Sequence, residues 1–178
     1  MTLAKIASTE SSQSGQKFLQ FQLGTNVSAL LEAKIVKEII AVPEKEILPV
    51  PEMPNWVFGI YGYRSEILWM IDLKILLEYP SSWLSLADNH PRNRSLMTIV
   101  VCYQEQMLGL IVPNVQGIIE YNLSELHPPS SELFAPEILP FVEGHFTGNQ
   151  QEIIMLLNPD EIFEYQKNRT VSSLSVIP

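Results

Sequence analysis

Apolar and polar residues mix at short range along this chain, and the pattern predicts many short strands. Residues 18–23 (FLQFQL) alternate closely enough for a strand, and Gly24-Thr25-Asn26 follows as a turn. Residues 56–61 (WVFGIY), 66–71 (EILWMI), 95–103 (SLMTIVVCY), 107–112 (MLGLIV) and 152–157 (EIIMLL) are rich in β-branched or aromatic residues. Each is bounded by Pro, Gly or polar residues. Only Gln104, Glu105 and Gln106 separate Tyr103 from Met107, a connection short enough for a hairpin. Thirteen prolines mark the ends of many short elements, because proline is barred from helix interiors and central strands. The pattern predicts a barrel or sandwich.

Two segments carry helical signals. Residues 28–40 (SALLEAKIVKEII) hold good helix formers at helical spacing, so propensity favours a helix there. Near the C-terminus, Asn158 suits an N-cap, Pro159 the first helical position, and Asp160 and Glu161 the first turn of a helix running to about Lys167. Asp72 is placed to cap one turn through LKILL. Residues 80–94 are rich in Ser, Asp, Asn and Pro and read as a loop between two halves.

At 178 residues and 46% hydrophobic, the chain suits one globular domain or two small barrels sharing a core. A net charge of -9 with scattered basic residues opposes nucleic-acid or anionic-membrane binding. The longest apolar run, near 99–102, is far below the ~20 residues of a membrane span, and residues 1–16 lack a signal-peptide core. A single cysteine, Cys102, excludes an intramolecular disulfide and agrees with a reducing, cytoplasmic setting. It lies in an apolar strand and reads as a buried small hydrophobe.

The chemistry-bearing residues form no catalytic pattern. There is no Gly-rich phosphate loop, no H-E-x-x-H and no Cys/His spacing suited to zinc, so neither cofactor nor metal is expected. His90 and His127 adjoin prolines and read as loop residues, and His145 reads as a polar face position in a strand. Trp56 and Trp69 read as core.

Several blocks together resemble the CheW-type coupling proteins: KFLQFQLG (17–24), IVKEII (35–40), VPEMPNWVFGIYGYRSEILWMIDLKILL (50–77), LGLIVPNVQGII (108–119), and FVEGHF with EIIMLLNPDEIF, ending at 163. The resemblance covers nearly all of 17–167. It implies a mainly β protein of two SH3-like five-stranded β-barrels packed side by side, with a short C-terminal helix. The expected layout is a flexible tail over 1–16, a CheW-like domain over 17–167, and a flexible tail over 168–178. Within the domain, the first barrel is expected at about 27–88, and the second at about 94–158 with the strand 17–24. The family fold also turns 28–40 into strand, turn and strand.

The resemblance implies a non-catalytic adaptor, not an enzyme. Its partners would be the regulatory domain of a CheA-type histidine kinase and the cytoplasmic tip of a methyl-accepting chemoreceptor, at membrane-associated arrays. The wording around 55–73 resembles cyanobacterial adaptors of pilus-based motility and phototaxis. Arg64 matches a loop arginine of the family and Glu38 a glutamate held close to it, partly shielded between the barrels. Without the resemblance, Arg64 reads as the cap of an exposed turn. Val36 and Val115 match positions on the receptor-binding groove, with ordinary core packing as the alternative. Ile39, Val42 and Leu48 lie near the kinase-contact segment. Two departures stand out: Ser65 replaces the usual glycine after the arginine, and Pro113 with Asn114 replaces a usual aspartate before the groove valine. An interaction module on the same fold that binds another sensory or pilus-regulating partner, without a kinase, is the competing function.

Overall fold

The computed structural model describes residues 15–78 and 94–174. Among them, ten strands form two five-stranded sheets. The strands are β1 (Gln16–Gly24), β2 (Val27–Glu32), β3 (Val36–Pro43), β4 (Val57–Tyr63), β5 (Glu66–Asp72), β6 (Ser95–Tyr103), β7 (Gln106–Ile111), β8 (Asn114–Tyr121), β9 (Val142–Thr147) and β10 (Ile153–Leu157). One sheet runs β3-β6-β7-β5-β4 and the other β8-β1-β2-β10-β9.

Each sheet curls until side chains at its two ends meet, without strand pairing between the end strands among the described residues. In the first, Tyr63 on β4 donates a hydrogen bond to Glu38 on β3, across the seam between the two outer strands. In the second, Tyr121 on β8 stacks on Phe146 of β9 with ring centroids 4.6 Å apart, and His127 exchanges backbone hydrogen bonds with His145. The result is the expected pair of SH3-like barrels.

Residues 28–40 show why propensity loses. Leu30 enters the interior of the second barrel with Phe18, Phe146, Ile154 and Leu156, while Ala29 and Leu31 face the other way into the core between the barrels. A segment buried on both faces needs the two-residue period of a strand, which a helix cannot supply. The chain runs as β2, a single 3-10 turn over Ala33–Ile35, and β3.

The same alternation organises β6. Leu96 and Val100 fill the first barrel with Val42, Leu68, Met70 and Ile111, whereas Ile99 and Val101 join Leu19, Phe21, Ile71 and Leu110 between the barrels. This shared core is the largest apolar cluster among the described residues, and it fixes one barrel against the other.

The barrels are not consecutive in sequence, which corrects the expected division at 27–88 and 94–158. β2 belongs with β1 and pairs in parallel with β10, while β6 and β7 belong with β3, and β7 pairs in parallel with β5. The tight hairpins β1-β2 and β6-β7 keep their strands in one sheet, and a parallel partner can only come from a distant part of the chain.

Asp72 caps a short helix, α1 (Leu73–Leu76), accepting from Ile75 N at 3.1 Å. The terminal helix α2 (Pro159–Leu174) starts as expected, with Asn158 Oδ1 accepting from Asp160 N at 3.0 Å. It runs seven residues past Lys167, so 168–174 are helical and not a tail. Packing explains the extension. Tyr165 lies against Trp56 and Phe141, and buried Gln166 donates to buried Thr170 at 3.1 Å. The expectations for 1–14 and for the loop at 80–93, with His90, fall outside the described residues. Cys102 is half-buried, as is Trp69, whereas Trp56 is core. No helix among the described residues is long and apolar enough to cross a membrane.

Candidate functional site

The β4-β5 hairpin places Arg64 on the surface. Tyr63 pairs with Glu66, leaving Arg64-Ser65 as a two-residue turn. Turns that match the twist of paired strands need a positive φ at the first position, and Arg64 takes φ 48°. The positive φ falls on Arg64 and not on Ser65, which stands where the family usually has glycine, and a residue with a Cβ is disfavoured in that conformation.

Arg64 is held from two sides. Its Nη2 donates to Glu38 Oε2 at 2.9 Å, and its guanidinium lies 5.1 Å from the centre of the Tyr63 ring. Tyr63 donates its hydroxyl to the same Glu38 oxygen. That hydrogen bond raises the Tyr63 pKa above its ordinary value, desolvation adds to the rise, and the Arg64 charge opposes it. The Arg64 side chain nevertheless remains 74% exposed, against 37% for Glu38. The expected shielding thus applies to the carboxylate and not to the arginine. An ion pair this open adds little stability; its effect is to aim the guanidinium.

A cleft of about 300 Å³ opens beside the pair, lined by Lys37, Tyr63, Arg64, Ser65, Glu66 and Met107. Lys37 is the extra residue of a bulge, since Val36 pairs with Val101 and Glu38 with Val100. The bulge turns β3 so that Glu38 meets the hairpin. Val36 and Val115 are half-buried and both pack on the core between the barrels. Their packing role is visible, and each keeps an exposed edge.

The other expected contact residues divide. Ile39 is 43% and Leu48 63% exposed. Ile39 shares the outer face of β3 with exposed Ala41, and Ala41 pairs with exposed Met97, giving a small apolar patch. Leu48 sits outside β4, exchanging two backbone hydrogen bonds with Ile60 at 2.9 Å. Val42 is fully buried inside the first barrel, which removes it from any contact surface. The strand period accounts for this correction, because Val42 is three residues from Ile39 and so faces the opposite way.

Tyr63 is the site residue that sequence analysis missed. Adjacency to Arg64 was a signal, but its bond to Glu38 depends on closure of the barrel. His145 also differs from expectation: it is buried, and its Nδ1 has no hydrogen-bond partner among the described residues. Burial, together with nearby His127, lowers its pKa, while a backbone hydrogen bond to Pro128 opposes the shift. No group of three or more potential metal ligands occurs among the described residues.

The chain matches the CheW-like domain family over residues 17–167, the span that contains both barrels and the Arg64 cluster. It belongs to the CheW family. Protein FrzA of Myxococcus xanthus is 25% identical over 144 residues, covering 75% of this chain and 83% of FrzA. Chemotaxis protein CheW of Treponema pallidum is 25% identical over 113 residues, covering 64% of this chain and 62% of that protein. The crystal structure of scaffolding protein TtCheW from Thermoanaerobacter tengcongensis superimposes with a TM-score of 0.67 at 24% identity. That match covers 84% of this chain and 93% of TtCheW, and it establishes the shared fold. As a member of the CheW family, the chain is a CheW-like adaptor of the chemotaxis type.

Proposed function

We propose that this CheW-family protein couples the cytoplasmic tip of a methyl-accepting receptor to the regulatory domain of a CheA-type histidine kinase. It would act in the cytoplasm, recruited to membrane-associated receptor arrays. The observation that carries the proposal is the presentation of Arg64: a strained turn, a carboxylate and an aromatic ring hold a guanidinium that stays largely in solvent. A planar, rigid donor fork suits recognition of carboxylates and carbonyls on a helical hairpin. Val36 and Val115 supply the apolar part of the receptor contact, with Glu38 orienting the arginine. Ile39 and Leu48 supply the kinase contact.

Titration calorimetry against a receptor cytoplasmic fragment and a kinase regulatory domain tests the assignment. Arg64→Ala abolishes receptor binding and spares the kinase; Ile39→Glu does the reverse. Loss of both partners in either variant, with the fold intact, would refute the division of surfaces. Pro113, which removes a backbone donor just before β8, favours a second reading in which the same fold serves a different sensory or pilus-regulating partner. Absence of kinase binding by the folded parent protein would select it. Flagellar, phototactic and twitching outputs are distinguished by the motility defect of a deletion strain.

A further inference from the structure

Strand β8 lies at one end of the second sheet and, among the described residues, is paired only with β1. Such an edge offers unpaired backbone groups to any extended chain, and proteins usually blunt it with lysine, proline or a cover. Here the strand carries Ile118, 55% exposed, and Ile119, 39% exposed, and Leu123 just beyond it is 45% exposed. Ile118 pairs with Leu19 and Ile119 with Phe18, so they stand on opposite faces of the strand. Apolar surface is therefore available on both sides of the edge.

Charge indicates the kind of partner. Between Ser95 and Gln166 the chain has ten carboxylates and no lysine or arginine. Glu120 on β8 and Glu125 just after it are exposed, as is Glu143 on β9, at the other end of the same sheet. Lys17, opposite Glu120 on β1, is the cation in register with the strand. A second copy of the same acidic surface would be repelled, whereas a basic chain would be attracted.

We propose that β8 is a docking edge for an extended basic segment of a partner protein, in which apolar and Lys/Arg residues alternate. The segment adds as a sixth strand: its backbone pairs with β8, its apolar residues cover Ile119 on one face, and its cations meet Glu120 on the other. Strand addition draws affinity from main-chain hydrogen bonds and specificity from alternate side chains.

The probe is a capped ten-residue peptide alternating lysine and valine, titrated into the full chain with hydrogen exchange read by residue. Added protection is expected on β8 amides, with affinity falling as salt rises. Ile118→Lys, on an exposed position, is expected to weaken binding at least tenfold without loss of fold, and a peptide N-methylated at alternate amides is expected to bind as weakly. Arg64→Ala is expected to leave binding unchanged, which separates the β8 edge from the Arg64 side of the receptor surface. Protection elsewhere, an unaffected Ile118→Lys variant, or equal binding of a glutamate-valine peptide would overturn the proposal. So would a dimer in sedimentation that Ile118→Lys dissolves, which would assign the edge to a second copy.

Discussion

Gly59 allows a backbone crossing that positions Leu48, part of the proposed kinase contact. It adopts φ 151°, and a Cβ placed on it would lie 2.4 Å from the Leu48 carbonyl oxygen and 2.8 Å from Ile47 Cγ2. The Leu48 backbone cannot give way without breaking its two hydrogen bonds to Ile60. Gly59→Ala thus imposes a dihedral that L-residues avoid, costing about 1–3 kcal/mol. It also costs two backbone hydrogen bonds, about 1–3 kcal/mol together. A central value of about 4 kcal/mol lowers Tm by about 8–16 °C for a chain of this size. Urea denaturation followed by circular dichroism measures the loss. Gly62→Ala on the same strand is the control, because a Cβ there meets nothing within 4 Å; it is expected to stay within about 0.5 kcal/mol of the parent. The Gly59 variant is also expected to lose kinase affinity at temperatures where it remains folded, since Leu48 moves with its backbone. A Gly59→Ala protein within about 1 kcal/mol of the parent would show that the 47–48 segment yields freely, refuting the reasoning.

Three further outcomes follow from local geometry. Because burial and His127 hold the His145 pKa below its ordinary value, its contribution to stability is fully present above about pH 6.5 and is lost as pH falls through the depressed folded value; urea midpoints from pH 7.5 to 5 should fall less in His145→Gln than in the parent. Gly109→Ala brings a Cβ to 2.7 Å from Met70 Sδ in the first barrel, costing about 1–3 kcal/mol, and adding Met70→Val should show a favourable coupling above about 0.5 kcal/mol in a double-mutant cycle. Asp72→Ala removes the cap on Ile75 N and should cost about 1–2 kcal/mol by chemical denaturation, with the partner surfaces intact.

The short strands, the 104–106 hairpin, the Asn158 start of α2 and the Asp72 cap were legible because each depends on neighbours in sequence. The hairpin closes on Gln104 and Glu105, both with positive φ, so its length was readable although neither residue favours that conformation. Residues 28–40 needed the family resemblance, since local propensity cannot register that Leu30 and Leu31 enter different cores. The partition of strands was not legible, because the β2-β10 and β5-β7 pairings join distant segments. At the site, the Glu38 and Arg64 pair came from the resemblance and is present. Val42 was misplaced by counting nearness in sequence without strand parity, and Tyr63 was missed because its partner is reached only across the closed seam.

The interleaved strand order constrains how such a protein can diversify. Residues up to Glu78 supply β1 and β2 to one barrel and β3, β4 and β5 to the other, while residues from Arg94 onward complete both. No single contiguous piece of gene encodes either barrel, so recombination cannot exchange one partner-binding half for another, and new specificity must arise by substitution within the whole. Conversely, a polypeptide divided between Glu78 and Arg94 would yield two fragments that regain both barrels only on meeting, a natural basis for a split reporter of proximity inside a signalling cluster.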